Sequence, residues 1–382
     1  MQNRSPNGYR IVDHPDALAA AAEELAGARR IAVDLEADSM FHFKEKVCLL
    51  QIASAKAAYV VDPLKLNDLA PLKPLMGDAR ICKVFHGADY DIRSLYRDFG
   101  ISIRNLFDTE LATRFLGARE SGLDAVLQNR FGISLDKKYQ RKNWSQRPLP
   151  LEMMDYAAGD VTHLLPLARE IQRELKDKKR LAWVREECEI LSGVRAPENN
   201  AAPLYLNFRG AGRLKPEQLA VLEALLKLRR HMAQERDRPL FKVFSNKSLL
   251  ALAMSRPTTI RQMEQTESLS KRQISMHGPA LLKTIDQVRT LPRHKLPVYP
   301  RKRPPRLPPG VPDRVTILKS WRDRKAAALD LDPGLVLNKN LIQAIAIAKP
   351  ERHKDLAVIE DIRRWRCQAF GRELVSLMKS SR

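Results

Sequence analysis

The stretch RRIAVDLEAD, residues 29–38, decides the fold. Two arginines lead into a short apolar run, Ile31 to Leu35, which ends among acids. KVCLLQIAS (46–54) and AAYVVDP (57–63) follow at short spacing, and both are rich in β-formers. Three such segments this close together predict an antiparallel meander. In a strand, residues i and i+2 face the same way, so Asp34 and Glu36 project together where the apolar run stops. Acids are 45 of 382 residues. A carboxylate-x-carboxylate pair is therefore expected several times by chance, and it is the strand-end setting that lends this one weight. A strand simply turning polar at the surface is the bland alternative.

On the N-terminal side, PDALAAAAEELAG (15–27) reads as a helix ended by Gly27. On the other side, LNDLAPLKPLMGD (66–78) reads as a helix and ICKVFHG (81–87) as a fourth, buried strand. ADYDIRSLYRDFG (88–100) is an amphipathic helix closed by Gly100. Asp89 and Asp91 lie in its first turn, where the helix dipole favours anions; capping accounts for Asp89 better than for Asp91. After RNLFDTELATRFLG (104–117) nearly everything reads as helix. In DYAAGDV (155–161), Tyr156 and Asp160 are four residues apart and share one helix face. The same spacing occurs at Tyr9 and Asp13, in a polar N-terminal stretch with no acidic partners placed around it. The first domain is thus α/β, a mixed sheet with helices around it.

Charge separates the two halves of the chain. Residues 1–200 hold 30 Lys+Arg against 29 Asp+Glu, about +1; the remaining 182 hold 37 against 16, about +21. A polyanion, nucleic acid foremost, is the natural partner of so one-sided an excess. The four cysteines are scattered with no C-x-x-C pair, which argues against a zinc site or a disulfide framework and fits reduced thiols in a cytoplasm. No apolar run reaches membrane-spanning length, and the N-terminus shows no signal peptide, so no membrane partner is expected.

SGVRAPENNAAP (192–203) reads as a linker, and LPRHKLPVYPRKRPPRLPPG (291–310), with seven prolines and six Lys/Arg, as an extended basic connector. Two all-helical units flank that connector. SNKSLLALAMSRP in the first matches LNKNLIQAIAIAKP in the second, so they read as diverged repeats of one small fold. The expected partition is 1–200, 208–291, a linker at 292–311, and 312–382.

Asp34, Glu36, Asp91 and Asp160 together could bind two hard divalent cations, and oxygen-only ligands suit Mg²⁺ or Mn²⁺ rather than zinc. A phenol is a poor base at neutral pH, so Tyr156 is expected to orient a water.

In order and spacing, VDLEAD, HGADYDIRSLYRDFG, NLFDTELATRFLG, KKYQRKNWSQRPLP and YAAGDVTHLL resemble the DEDD family of 3′→5′ exonucleases. The Tyr-x-x-x-Asp form resembles its tyrosine subclass. The resemblance covers roughly residues 8–180, and the regions near 210–290 and 312–380 resemble HRDC domains, small helical nucleic-acid-binding modules. It implies an RNase H-like fold and two-metal hydrolysis of RNA that releases nucleoside 5′-monophosphates, by analogy at the 3′ trailers of tRNA precursors. It implies that Asp34 bridges both metals, with Glu36, Asp91 and Asp160 completing the set. Met40 falls where related enzymes place an apolar wedge between bases, and His86 where the terminal nucleotide would lie. Lys138, Tyr139, Gln140, Trp144 and Arg147 look like a basic-aromatic segment for stacking and phosphate contact, although for Trp144 packing within the domain is the favoured reading. A monomer is expected. The rival readings are a DNA repair or proofreading exonuclease and a non-catalytic RNA-binding protein.

Overall fold

The structure, a computed structural model, describes residues 8–196, 202–300 and 307–380. The two linkers read from the sequence fall partly outside the described residues. One compact unit comprises 8–37, 46–196 and 307–380; the other comprises 38–45 and 202–300. Among the described residues no helix is long and apolar enough to cross a membrane.

The first unit is built on a mixed sheet. Its strands are β1 (Arg10–Val12), β2 (Arg30–Ala37), β3 (Val47–Ala53), β4 (Ala58–Val61), β5 (Cys82–Phe85) and β6 (Leu106–Asp108). They lie in the order β1-β4-β3-β2-β5-β6. β3 is antiparallel to β2 and β4, so the expected meander is present; the β1–β4, β2–β5 and β5–β6 pairs are parallel. β1 and β6 were not expected. YRIVD is no polar tail: Arg10–Val12 pairs with β4, and Tyr9 is only 2% exposed.

Helices α1 (Pro15–Ala26), α2 (Pro63–Leu66), α3 (Leu72–Gly77), α4 (Asp89–Phe99), α5 (Thr109–Phe115), α6 (Leu123–Phe131), α7 (Leu151–Thr162), α8 (Leu164–Asp177) and α9 (Leu181–Ser192) surround the sheet. The helix expected at 66–78 is confined to α3, because α2 has already ended at Leu66. Asn67 adopts a left-handed φ of 59° and ends α2, and α3 restarts after Pro71. α4 stops at Gly100, whose φ is 62°, as its sequence indicates.

The helical repeats follow one plan. The first contains α10 (Pro216–Glu235), α11 (Leu240–Val243), α12 (Asn246–Ser255), α13 (Ile260–Gln265) and α14 (Lys271–Arg289). The second contains α15 (Val311–Leu329), α16 (Pro333–Val336), α17 (Lys339–Ala348), α18 (His353–Leu356) and α19 (Arg364–Ser380). α12 and α17 are capped by the side chains of Ser245 and Asn338, and both end at a left-handed cation, Arg256 or Lys349, followed by proline. The eighth residue of α14 is Gly278 and that of α19 is Gly371. A Cβ at either would come within 2.7 Å of the first residue of the preceding short helix, Ile260 or His353. Glycine is what allows the last helix of each repeat to approach so closely.

The repeats differ in what they pack against. The first has its own core, with Leu222, Leu225, Phe244, Leu249, Leu252 and Leu281 fully buried. The second shares one continuous core with the sheet. Trp365 of α19 stacks on Trp183 of α9 with centroids 4.6 Å apart, and its indole N–H donates to Glu187 at 2.9 Å. The backbone N–H groups of Arg364 and Trp365, free at the helix start, donate to the Glu186 carboxylate at 2.7 and 2.9 Å. A carboxylate from another helix therefore caps α19.

Candidate active site

β2 carries Asp34 and Glu36 to the edge where parallel β5 also ends. β5 continues through His86 and Gly87 into α4, with Asp91 in its first turn. Asp108, at the end of β6, fixes that turn. It accepts the N–H groups of Gly87 at 3.0 Å and Ala88 at 2.8 Å while capping α5 through Glu110 and Leu111. Thr109 donates to the Phe85 carbonyl at 2.8 Å and lies 2.9 Å from His86 Nδ1. α7 packs across β2, β3 and β4 and brings Tyr156 and Asp160 to the same edge.

One carboxylate oxygen from each of Asp34, Glu36 and Asp160 lies within 4.8 Å of the others. Asp91 is buried beside them, close enough to raise the proton affinity of Glu36 and to feel the charge of Asp34. Burial is the main cause of the upward shifts, and mutual repulsion adds to it for Glu36, Asp91 and Asp160: Asp34 rises to about 6, Asp160 to about 8 and Glu36 to about 10, with Asp91 also well above the carboxylate range. Four carboxylates so placed cannot all ionise without positive charge among them. The donor set is all oxygen, at a spacing one small ion can span, so the residues fit hard divalent cations.

Tyr156 stands beside Asp160 and favours its ionised form by hydrogen bonding. Burial, then the neighbouring acids, push the phenol further above its ordinary value, so it remains a proton-bearing donor. Its ring is held between Tyr139, edge-on at 5.9 Å, and Trp144 at 6.1 Å.

The acids open on a cleft of about 380 Å³ whose walls include His86, Lys137, Gln140 and Tyr156. The remaining candidate contact residues scatter. Burial holds the His86 imidazole below its usual range, and its Nε2 is buried without a partner among the described residues. Lys138 is exposed, its ammonium 5.1 Å from the Tyr139 ring. Met40 is exposed, in the 38–45 segment that groups with the other unit, where His42 and Phe43 bond to Asp237. Trp144 is 1% exposed, among Tyr9, Leu49, Val60 and Met153. All five N–H donors of Arg147 are engaged, two with Asp62 and three with the carbonyls of Cys48, Trp144 and Gln146. Arg147 and Trp144 thus fasten the 137–150 segment to the sheet.

The second Tyr-x-x-x-Asp copy is a brace. Tyr9 donates to Asp155 at 2.8 Å, next to Tyr156, and Asp13 pairs with Lys65 at 2.7 Å. Sequence reasoning passed over Gln51, Asp108 and the Lys137–Asp124 pair at 2.6 Å. Gln51 lies directly across from Asp34 in the β2–β3 register, so both face one side of the sheet, and its buried amide has no partner among the described residues. A lone glutamine in the otherwise apolar VCLLQIA was the available signal.

Fold and site together define a 3′→5′ exonuclease followed by two small helical modules. Residues 9–176 match the 3′-5′ exonuclease family model, and 218–285 and 312–378 match the HRDC domain. The chain is 30% identical to ribonuclease D of Pseudomonas paraeruginosa over 92% of both chains. It is similar to the crystal structure of Escherichia coli RNase D, described as an exoribonuclease involved in structured RNA processing, with a TM-score of 0.72 and 26% identity over 97% of this chain and 98% of that one. The catalytic core of RRP6 from Trypanosoma brucei aligns with a TM-score of 0.64 and 29% identity over 76% of this chain and 84% of that one. The chain belongs to the ribonuclease D family of 3′→5′ exoribonucleases.

Proposed function

We propose that this chain trims the 3′ ends of structured RNAs, tRNA precursors among them, and releases nucleoside 5′-monophosphates. Asp34, Glu36, Asp91 and Asp160 would hold two divalent cations, Mg²⁺ or Mn²⁺. When bound, the cations would make the attacking water more acidic and neutralise charge gathering on the phosphate and the leaving 3′-oxygen. The other steps fall to this chain's own groups. Tyr156 keeps its proton and orients the water by hydrogen bonding, its ring locked between Tyr139 and Trp144. His86 and Gln140 line the cleft that receives the terminal nucleotide, and Lys138 contributes positive charge next to it.

The carboxylate cluster is the observation that carries this reading: three ligand oxygens within 4.8 Å, with a fourth buried acid beside them. The cationic C-terminal half would hold the RNA body away from the scissile bond. We further propose that the protein acts as a monomer in the cytoplasm; the absence of any disulfide among its four cysteines supports a reducing compartment.

Replacing Asp34 or Asp160 by Ala tests the reading, on matched 3′-extended RNA and DNA with Mg²⁺ or Mn²⁺. RNA hydrolysis should fall at least 1,000-fold, on the order of 4 kcal/mol of transition-state stabilisation. Activity within a few-fold of wild type would refute the cation centre. Preferential cutting of DNA would refute the substrate. Tyr156→Phe should retain cation binding while slowing hydrolysis about 10- to 100-fold.

A further inference from the structure

We infer that the first unit carries a second, non-catalytic anion site that takes the phosphate groups of a nucleotide, at the end of β2 opposite the carboxylates. Arg30 opens β2 and Asp34 lies four residues on, about 13 Å along an extended strand. The two ends of one strand thus present opposite charge.

A cavity of about 730 Å³ lies at the arginine end, larger than the 380 Å³ catalytic cleft. Arg29, Arg30, Arg104 and Arg185 line it, drawn from β2 and its approach, the segment before β6, and α9. Among the described residues none of these guanidinium groups pairs with a carboxylate, and Arg30 Nη1 is buried with no hydrogen-bond partner. A buried donor left unpaired is a desolvation cost that an anion in the cavity would offset. The single carboxylate on the wall, Glu189, lies 3.9 Å from Arg364 and so has a cation of its own. Other arginines of this unit pair with acids, as Arg147 does with Asp62 and Arg130 with Glu174. Four unspent guanidiniums around one cavity are a planar, multidentate arrangement suited to phosphate oxygens.

The size and the surroundings point to a nucleotide rather than a bare ion. An adjoining cavity of about 450 Å³ shares Arg29 and Arg30 and has apolar walls from Ala28, Ala55 and Leu165. Phosphates would lie among the four arginines and a base or sugar against the apolar wall. The phosphate could be supplied by a free nucleotide or by an RNA chain upstream of its 3′ end. The second source rests on the proposed RNA substrate; the site itself does not.

Cys82 lines the same cavity and is the one cysteine of the four that is not buried. It reports on occupancy without any enzymatic readout. The full-length protein is alkylated with iodoacetamide at pH 8.5 in EDTA, and Cys82 modification is followed by peptide mapping. One arm contains millimolar ADP and the other a 3′-extended RNA, which is not cut under these conditions. Either ligand should slow Cys82 alkylation at least five-fold, and whichever protects identifies the source. Arg30→Gln/Arg185→Gln should abolish the protection; both guanidiniums favour the Cys82 thiolate, so ligand-free alkylation slows in this variant and protection is read as the ratio of rates without and with ligand. Should that variant misfold, Arg29→Gln/Arg104→Gln, on exposed positions, tests the same point. No protection of wild type by either ligand overturns the site, as does protection that survives loss of the arginines. Hydrolysis of a short oligonucleotide, measured alongside with Mg²⁺, should stay at the wild-type rate in both variants. Its loss in wild type would count against the catalytic reading and leave the anion site standing.

Discussion

The two helical repeats share a plan and differ in employment. Lys271 opens α14 of the first repeat, is exposed, and pairs with no carboxylate among the described residues. The matching position in the second repeat is Arg364, which opens α19 and lies 3.8 Å from Glu186 and 3.9 Å from Glu189. The next position is Arg272 in one and Trp365 in the other, exposed cation against buried indole. One repeat leaves its cationic end exposed. The other has turned the same end into a joint with α9. A family label assigned twice along one chain therefore covers two physical roles.

Substitution at the joint should give the largest effect. Trp365→Ala removes an indole stacked on Trp183 and packed against Phe115 and Phe370, at a cost of about 4 kcal/mol. Calorimetry should show the transition of the sheet-containing unit moving down by several degrees. Phe244→Ala, buried in the first repeat, should cost a similar amount but leave that transition in place. If both variants shift the same transition, the repeats do not differ as described.

A middle-sized effect comes from the cations. Asp34, Asp160 and Glu36 have folded values of about 6, 8 and 10, all above their ordinary carboxylate values. Without cations, the stability they contribute is fully present only below about pH 4 and is lost as pH rises through those values. Bound Mg²⁺ offsets that loss, so its stabilisation should be larger at pH 8 than at pH 5.5. It should approach roughly 2.7 kcal/mol at 100 times the dissociation constant. The transition that moves should be that of the sheet and the second repeat together. A Mg²⁺ effect that is greater at the lower pH contradicts the buried acids.

The smallest effect separates the repeats directly. Lys271→Gln/Arg272→Gln should weaken binding of structured RNA a few-fold and flatten the dependence of log affinity on log salt by roughly 1–2. Arg364→Gln should change that slope less, because its charge already faces Glu186 and Glu189. Equal slopes in filter-binding titrations would put both repeats on the RNA.

Much of this was legible where local pattern and tertiary role coincide. The meander, the buried strand before His86, and α4 with its Gly100 stop each follow from residues adjacent in sequence. The acids were found because strand and helix periodicity aimed each of them at one edge. What escaped depends on distant partners. β1 and β6 have three residues each, too few to display alternation, and exist because β4 and β5 pair with them. Tyr9 looked polar by its neighbours and is buried by Trp144 and Met153. Arg147 read as a phosphate contact, and its five donors are taken up by Asp62, 85 positions away, and by backbone carbonyls. No local signal marked Glu186 and Glu187 as the dock for residues 178 and 179 positions further on.

The docked repeat also brings with it an optical consequence. The chain has four tryptophans, and two of them, Trp183 and Trp365, lie nearly parallel at 4.6 Å with an interplanar angle of 20°. Indoles that close share their electronic excitation, which gives a paired near-ultraviolet circular dichroism band that neither ring produces alone. Separation of α19 from α9 would erase that band while leaving the far-ultraviolet helical signal intact. The protein thus carries an unlabelled gauge of whether its last module is seated, readable during turnover.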